Sequence, residues 1–203
     1  MKKVQKQVTR ELVTRGLVTR ELTPDLWPAL ERLFGENGAC GGCWCMYWRV
    51  ERGERWEELK GATNKQRFKS LVRSGRAHGV LAFRGEEPVG WCAVERRRDL
   101  PRLDRSRTLE CEDAERVWSL PCFYVKAGHR GTGVSRALLA HALRLLRAAG
   151  AEIAEGYPVR PKKKGQAIPA AFAFTGTKSL FESAGFEVVG NRGGGKERMR
   201  RAL

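Results

Sequence analysis

Two glycines fall within three positions in His129-Arg130-Gly131-Thr132-Gly133-Val134-Ser135, immediately before a run of helix-forming residues. Glycine loses much backbone entropy on folding and is a poor helix former, so the pair needs a physical reason. That reason is close approach of the backbone to something, with its N–H groups exposed. The first turn of a helix leaves N–H groups unpaired and carries a partial positive charge, which suits a phosphate. A β-prone segment, Phe123-Tyr124-Val125, precedes the loop. Strand, Arg/Gly loop and helix have the layout of a phosphate cradle. The junction lacks the G-x-x-x-x-G-K-[ST] pattern of a P-loop. A dinucleotide fingerprint also fails, because Arg136 stands where a third small residue is required.

A second cluster, Cys40-Gly-Gly-Cys43-Trp-Cys45, contains a zinc half-site spacing with a third thiol nearby. No second Cys-x-x-Cys or His pair completes it, so the expectation is a tight loop of small buried thiols beside Trp44 and Trp48, with no metal. His129 flanks the glycine loop, His78 begins a strand, and His141 is expected at the surface or boundary of a helix. Lys162–Lys164 reads as a solvated loop.

These groups must be positioned by a domain of ordinary make-up. The 203 residues are 41% hydrophobic and 31% charged, with no apolar run long enough to span a membrane. The basic N-terminus is followed by no apolar core, so it is not read as a secretory signal. Six cysteines without such a signal point to reduced thiols and a cytoplasmic location. The formal net charge is +16. Such a field attracts polyanions, nucleic acid among them, but the excess is spread along the chain and no nucleic-acid motif accompanies it.

VTREL, VTRGL and VTREL occupy residues 8–22, a repeat too short for a solenoid. Residues 1–17 are expected to be an extension or tail, and 18–22 the first strand of a domain over 18–203. Thr23 is placed to cap a helix beginning at Pro24. Residues 38–62 read as a loop and a helical connection. Phe68, Leu71 and Val72 predict a second helix over 64–73. A hairpin is expected over 78–94, a polar connection over 95–115, and a strand over 118–125 that Pro121 must bulge or confine to an edge. The spacing predicts a helix over 134–149 with Leu138, Ala142, Leu145 and Ala149 on one side, widened by Leu139, Leu143 and Leu146. A strand over 151–159, a loop, a short helix ending at Gly185, and a hairpin of FEVVG with KERMRRAL complete the order βααββ, βαβ, αββ. The fold class is mixed α/β, a largely antiparallel sheet flanked by helices.

The strand, the Arg130-Gly131-Thr132-Gly133-Val134-Ser135 loop, the long helix and the later Phe181-Glu182-Ser183-Ala184-Gly185-Phe186 together resemble the GNAT superfamily of acyl-CoA-dependent N-acetyltransferases. Cys43-Trp44-Cys45-Met46-Tyr47-Trp48-Arg49 adds a likeness to an uncharacterised subgroup. The family loop is R/Q-x-x-G-x-G/A, and Ser135 departs from it at the last small position. The resemblance implies acetyl-CoA as acyl donor. Its diphosphate would rest on N–H groups of Arg130, Gly131, Thr132, Gly133, Val134 and Ser135, and its pantetheine arm along Phe123, Tyr124 and Val125. Many members protonate the leaving thiolate from a tyrosine where this chain has Phe181, which has no proton to give and is expected to pack against the cofactor.

The family arrangement also places Glu155 and Tyr157 as acid–base candidates. A half-buried carboxylate there can accept a proton near neutrality, or simply pair with one of the many arginines. Cys122 is a nucleophile by type, but the family transfers directly from a ternary complex, so packing is expected of it. Trp44, Tyr47, Trp48, Arg49 and Trp91 read as walls of the acceptor pocket or as core. The expected activity is transfer of acetyl to an amine of a small molecule or peptide, without membrane association and with a homodimer as an open option. The alternative is a CoA- or polyanion-binding module with a degenerate site.

Overall fold

The computed structural model describes residues 11–14, 16–159, 173–190 and 196–203; the Lys162–Lys164 run lies outside them. Two antiparallel hairpins open the first sheet. They are β1 (Glu11–Thr14) with β2 (Leu17–Glu21), and β3 (Gly79–Arg84) with β4 (Glu87–Ala93). Between them come α1 (Trp27–Phe34), α2 (Trp56–Leu59) and α3 (Ala62–Arg73). Next follow β5 (Glu95–Arg96), β6 (Val117–Leu120), β7 (Phe123–Val125), α4 (Val134–Ala148), β8 (Ile153–Gly156), α5 (Lys178–Glu182), β9 (Glu187–Gly190) and β10 (Arg198–Ala202). The expected mixed α/β order is present. One sheet runs β1-β2-β3-β4-β7 and is antiparallel throughout; the other runs β5-β6-β8-β10-β9, with β6 and β8 parallel.

Residues 117–125 run from one sheet into the other, as β4 and β5 do across Val94. The first half of residues 117–125 pairs with β8 and the second half with β4. Pro121 causes the break, because it has no N–H to give a ladder. Its carbonyl is taken by the Trp48 indole N–H (3.1 Å) instead of by a strand. Among the described residues the far edge of β7 pairs with no strand, since β7 ends its sheet.

Helix α4 packs Val134, Leu138, Leu139, Ala142, Leu143 and Leu146 into the main core. Its buried face is rotated from the expected one. Ala149 is exposed, Leu145 is only partly buried, and His141 is buried (1% exposed), with Nδ1 2.8 Å from the Thr19 hydroxyl of β2. Burial holds the His141 pKa below its ordinary value. Three further expectations shift. The pentapeptide repeat forms a hairpin where one strand was expected, with Gly16 at φ 71° in the turn. Thr23 precedes Pro24, but its side chain makes no capping hydrogen bond and the first turn is 3₁₀. The polar connection over 95–115 carries its own small core of Leu100, Leu103 and Leu109 against Trp48 and Tyr157.

Candidate active site

A groove of about 740 Å³ runs along β7 to the N-terminus of α4. Phe123, Tyr124 and Val125 form one wall, and Arg130, Gly131, Gly133, Val134 and Ser135 one end. Gly131 (φ 74°) and Gly133 (φ 88°) adopt left-handed backbone that other residues rarely take, and a Cβ at either would meet nothing within 4 Å. Packing thus does not demand glycine there; the left-handed backbone of the turn does. The ladder of α4 begins with Ala137 N–H donating to Gly133 C=O (3.1 Å), which leaves the preceding first-turn amides without helical acceptors. The loop is fastened at its entry. Arg130 Nε donates to Val125 C=O (3.2 Å), Thr132 Oγ1 to His129 C=O (2.7 Å), and Lys126 pairs with Glu87 (2.5 Å). Thr132 thus turns its hydroxyl onto the loop and is not on the groove wall.

A second, much smaller cavity adjoins the break in the 117–125 stretch. It holds about 10 Å³, close to the minimum for one water. Tyr47, Trp48, Arg49, Glu95, Pro121 and Cys122 are on its wall, and Phe174 lines both this cavity and the groove. Of the aromatics expected at an acceptor pocket, Tyr47 and Trp48 are therefore here with Arg49. Trp44 and Trp91 are instead sealed in a second core cluster with Trp27, Phe34 and Phe68. Glu95, which the sequence reading passed over, is buried and lies 2.5 Å from the Arg49 guanidinium and 3.5 Å from His78 Nδ1. Its signal was present: it continues the period-two row begun by Trp91 and Ala93.

Burial lifts the Cys43 thiol to about 12. The Cys45 thiol is also raised, by the neighbouring Cys122 and by burial, while its sulfur accepts the Trp91 indole N–H (3.0 Å). Among the described residues no group of three His, Cys, Asp or Glu is placed to hold a metal ion.

Glu155 and Tyr157 lie elsewhere. Both are fully buried and neither lines the groove or the small cavity. The Tyr157 hydroxyl donates to Glu155 Oε1 (2.8 Å) and receives Ser119 Oγ (2.6 Å). Arg200 Nε donates to Glu155 Oε2 (2.5 Å) while its outer nitrogens grip Asp113 at 2.8 and 2.6 Å. Arg198 and the fully buried Arg97 stand 3.6 and 3.7 Å from the same carboxylate. Glu155 is thus enclosed by arginines, where a half-buried carboxylate was expected. Burial, and then Glu155, push the Tyr157 hydroxyl pKa well above its usual value.

Phe181 is likewise corrected. Its ring is fully buried beside Phe123 and Phe186 and directly over Gly156, so it offers no surface to a ligand. From the same turn, Thr177, Ser179 and Leu180 reach the groove wall instead.

A model of the acetyltransferase (GNAT) family matches residues 42–156, more than half the chain and including the loop, α4 and β8. The chain belongs to the GNAT family. Solved structures agree at the level of the fold. The GNAT domain of Streptomyces lividans PAT (S. lividans) is 17% identical with a TM-score of 0.56, covering 95% of this chain and 96% of that one. The PaiA N-acetyltransferase of Thermoplasma acidophilum, solved with coenzyme A, is 16% identical with a TM-score of 0.54, covering 92% and 99%. YncA of Salmonella typhimurium, solved with acetyl-CoA, is 15% identical with a TM-score of 0.54, covering 93% and 95%. A comparison with curated proteins finds no match. As a GNAT protein the chain has an acyltransferase fold. Among the described residues no helix is long and apolar enough to cross a membrane.

Proposed function

We propose that this GNAT protein transfers acetyl from acetyl-CoA to an amine by direct attack within a ternary complex. One observation carries the reading: the groove along β7 and the small cavity beside Cys122 share Phe174 as a wall. A donor lying in the groove would present its acyl end to that cavity. The diphosphate rests on first-turn amides of α4 and on the Arg130–Ser135 loop, where the open space over Gly131 and Gly133 admits it. The pantetheine amides add to the free edge of β7 as another strand would, through backbone groups of Phe123, Tyr124 and Val125.

Within the cavity, Glu95 attracts the acceptor ammonium and takes its proton, directly or through the one water the space can hold. The freed amine attacks the thioester carbonyl, the C–N bond forms as the C–S bond breaks, and CoA leaves as thiolate, which takes the second proton lost by the nitrogen directly or through water. Cys122 forms wall and is bypassed. Glu155 and Tyr157 act by position: they tie β6, β8 and β10 together behind the break, so that β7 stays apart from β8. The domain serving this chemistry includes the β1–β2 hairpin and runs from about residue 11 onward, in the cytoplasm.

Release of free CoA thiol tests the proposal, with acetyl-CoA and a panel of primary amines. Sustained thiol release, beyond one equivalent per chain, that requires both an amine and acetyl-CoA is expected. Salt-labile binding of polyanions without turnover with any amine overturns it and leaves a binding module.

A further inference from the structure

An amine of the chain itself stands beside the small cavity, behind two of the rings that wall it. Lys196 Nζ lies 4.8 Å from the ring centre of Phe174 and 5.9 Å from that of Trp48, and both rings line the small cavity. Thr175 Oγ1 takes a hydrogen bond from it at 3.1 Å. Aromatic faces of this kind are what an acceptor ammonium would seek. The remaining space, about 10 Å³, suits one water. Three other described lysines differ: Lys60, Lys126 and Lys178 are paired with Glu57, Glu87 and Glu197. No described carboxylate offsets the burial of Lys196, and burial lowers its pKa to about 8, opposed only by nearby Cys122. Roughly a tenth of the side chain is then neutral amine at pH 7.

We propose that Lys196 is an acetyl acceptor in cis, modified by the acetyl-CoA bound in the groove of its own chain. The inference rests on the acetyl-CoA reading above and goes beyond it in naming an acceptor. The Lys196 nitrogen lone pair attacks the thioester carbonyl, an amide C–N bond forms, and the C–S bond breaks. CoA leaves as thiolate, and the proton lost by the nitrogen passes to that thiolate or to water. The product is Nε-acetyl-lysine and free CoA, with no further reactant.

The experiment incubates the full chain with acetyl-CoA alone, at two protein concentrations, and follows intact mass and peptide maps. Binding of acetyl-CoA to the same preparation is measured by calorimetry. Gain of one acetyl group at Lys196 is expected on the order of 100-fold faster than at Lys60, Lys126 or Lys178, because the amine is held at the site. Its rate constant should not depend on protein concentration. Excess CoA and the variant Gly133→Glu should suppress it, and Lys196→Arg should lose both the mark and the amine-independent first turnover. If acetyl-CoA binds but Lys196 gains acetyl no faster than the surface lysines, the inference is overturned while the transferase reading stands. A rate constant that rises with protein concentration also overturns it, by placing the transfer between molecules. If acetyl-CoA does not bind, both fall.

Discussion

Replacing Glu155 by Gln separates a positioning role from a catalytic one. The carboxylate is fully buried, accepts hydrogen bonds from Arg200 and Tyr157, and has Arg97 and Arg198 within 3.7 Å. An amide of the same shape keeps one acceptor oxygen, but it removes the charge and sets an N–H₂ against an arginine donor. Arg97, itself fully buried, would retain only Asp104 and the Leu109 carbonyl. Breaking a buried ion pair by removing one partner costs about 3–5 kcal/mol. For a chain of this length that lowers Tm by about 6–20 °C. The assay is thermal unfolding by circular dichroism, paired with kcat and KM per folded molecule at a temperature where the variant is native. The expected result is a large loss of stability with kcat within a few-fold of the parent. Glu95→Gln breaks the buried pair with Arg49 and should cost a similar amount, about 3–5 kcal/mol, but there kcat should also fall on the order of 100-fold. A Glu155→Gln variant that is as stable as the parent but has lost turnover would refute the reasoning.

Three other perturbations follow from the geometry. Gly133→Glu should cost about 1–2 kcal/mol of stability for the left-handed backbone and weaken acetyl-CoA binding on the order of 100-fold, by like charge in the phosphate cradle, as read by calorimetry. Gly156→Ala should lower stability by about 1–3 kcal/mol in denaturant unfolding, because its methyl would enter the Phe181 ring and the core must shift. The His141 pKa is held below its unfolded value by burial, so the unfolded chain binds the extra proton and stability should fall as pH drops below about 6.5. Urea unfolding at several pH values should show that decline, and His141→Gln should flatten it.

What the sequence made legible was what local conformation decides. Gly131 and Gly133 announced a left-handed loop because no other residue takes those angles at so little cost, and Pro121 announced a broken strand because it lacks a donor. The helix over 134–148 was plain from its period. Contacts from distant segments hid the rest. Glu155 looked like a strand carboxylate open to chemistry until Arg97, Arg198 and Arg200 arrived from well before and well after it. The buried face of α4 turned toward Thr19, which lies 122 residues away, and took His141 inside. Phe181 held the position of a family tyrosine, but Gly156 and Gly176 leave room that its ring fills completely. The division of the aromatic cluster, with Trp44 in the core and Trp48 on the cavity, turned on the left-handed backbone at Trp44 and Cys45, which no periodicity reveals.

The measurement that tests the central claim most directly is a calorimetric titration of the protein with acetyl-CoA at moderate salt, with ATP as the polyanion control. The account expects selective, micromolar, salt-tolerant binding of acetyl-CoA, because backbone amides and the β7 edge hold the ligand as well as charge. Equal and salt-labile binding of acetyl-CoA and ATP would contradict it, and would reduce the groove to a basic surface on a GNAT fold.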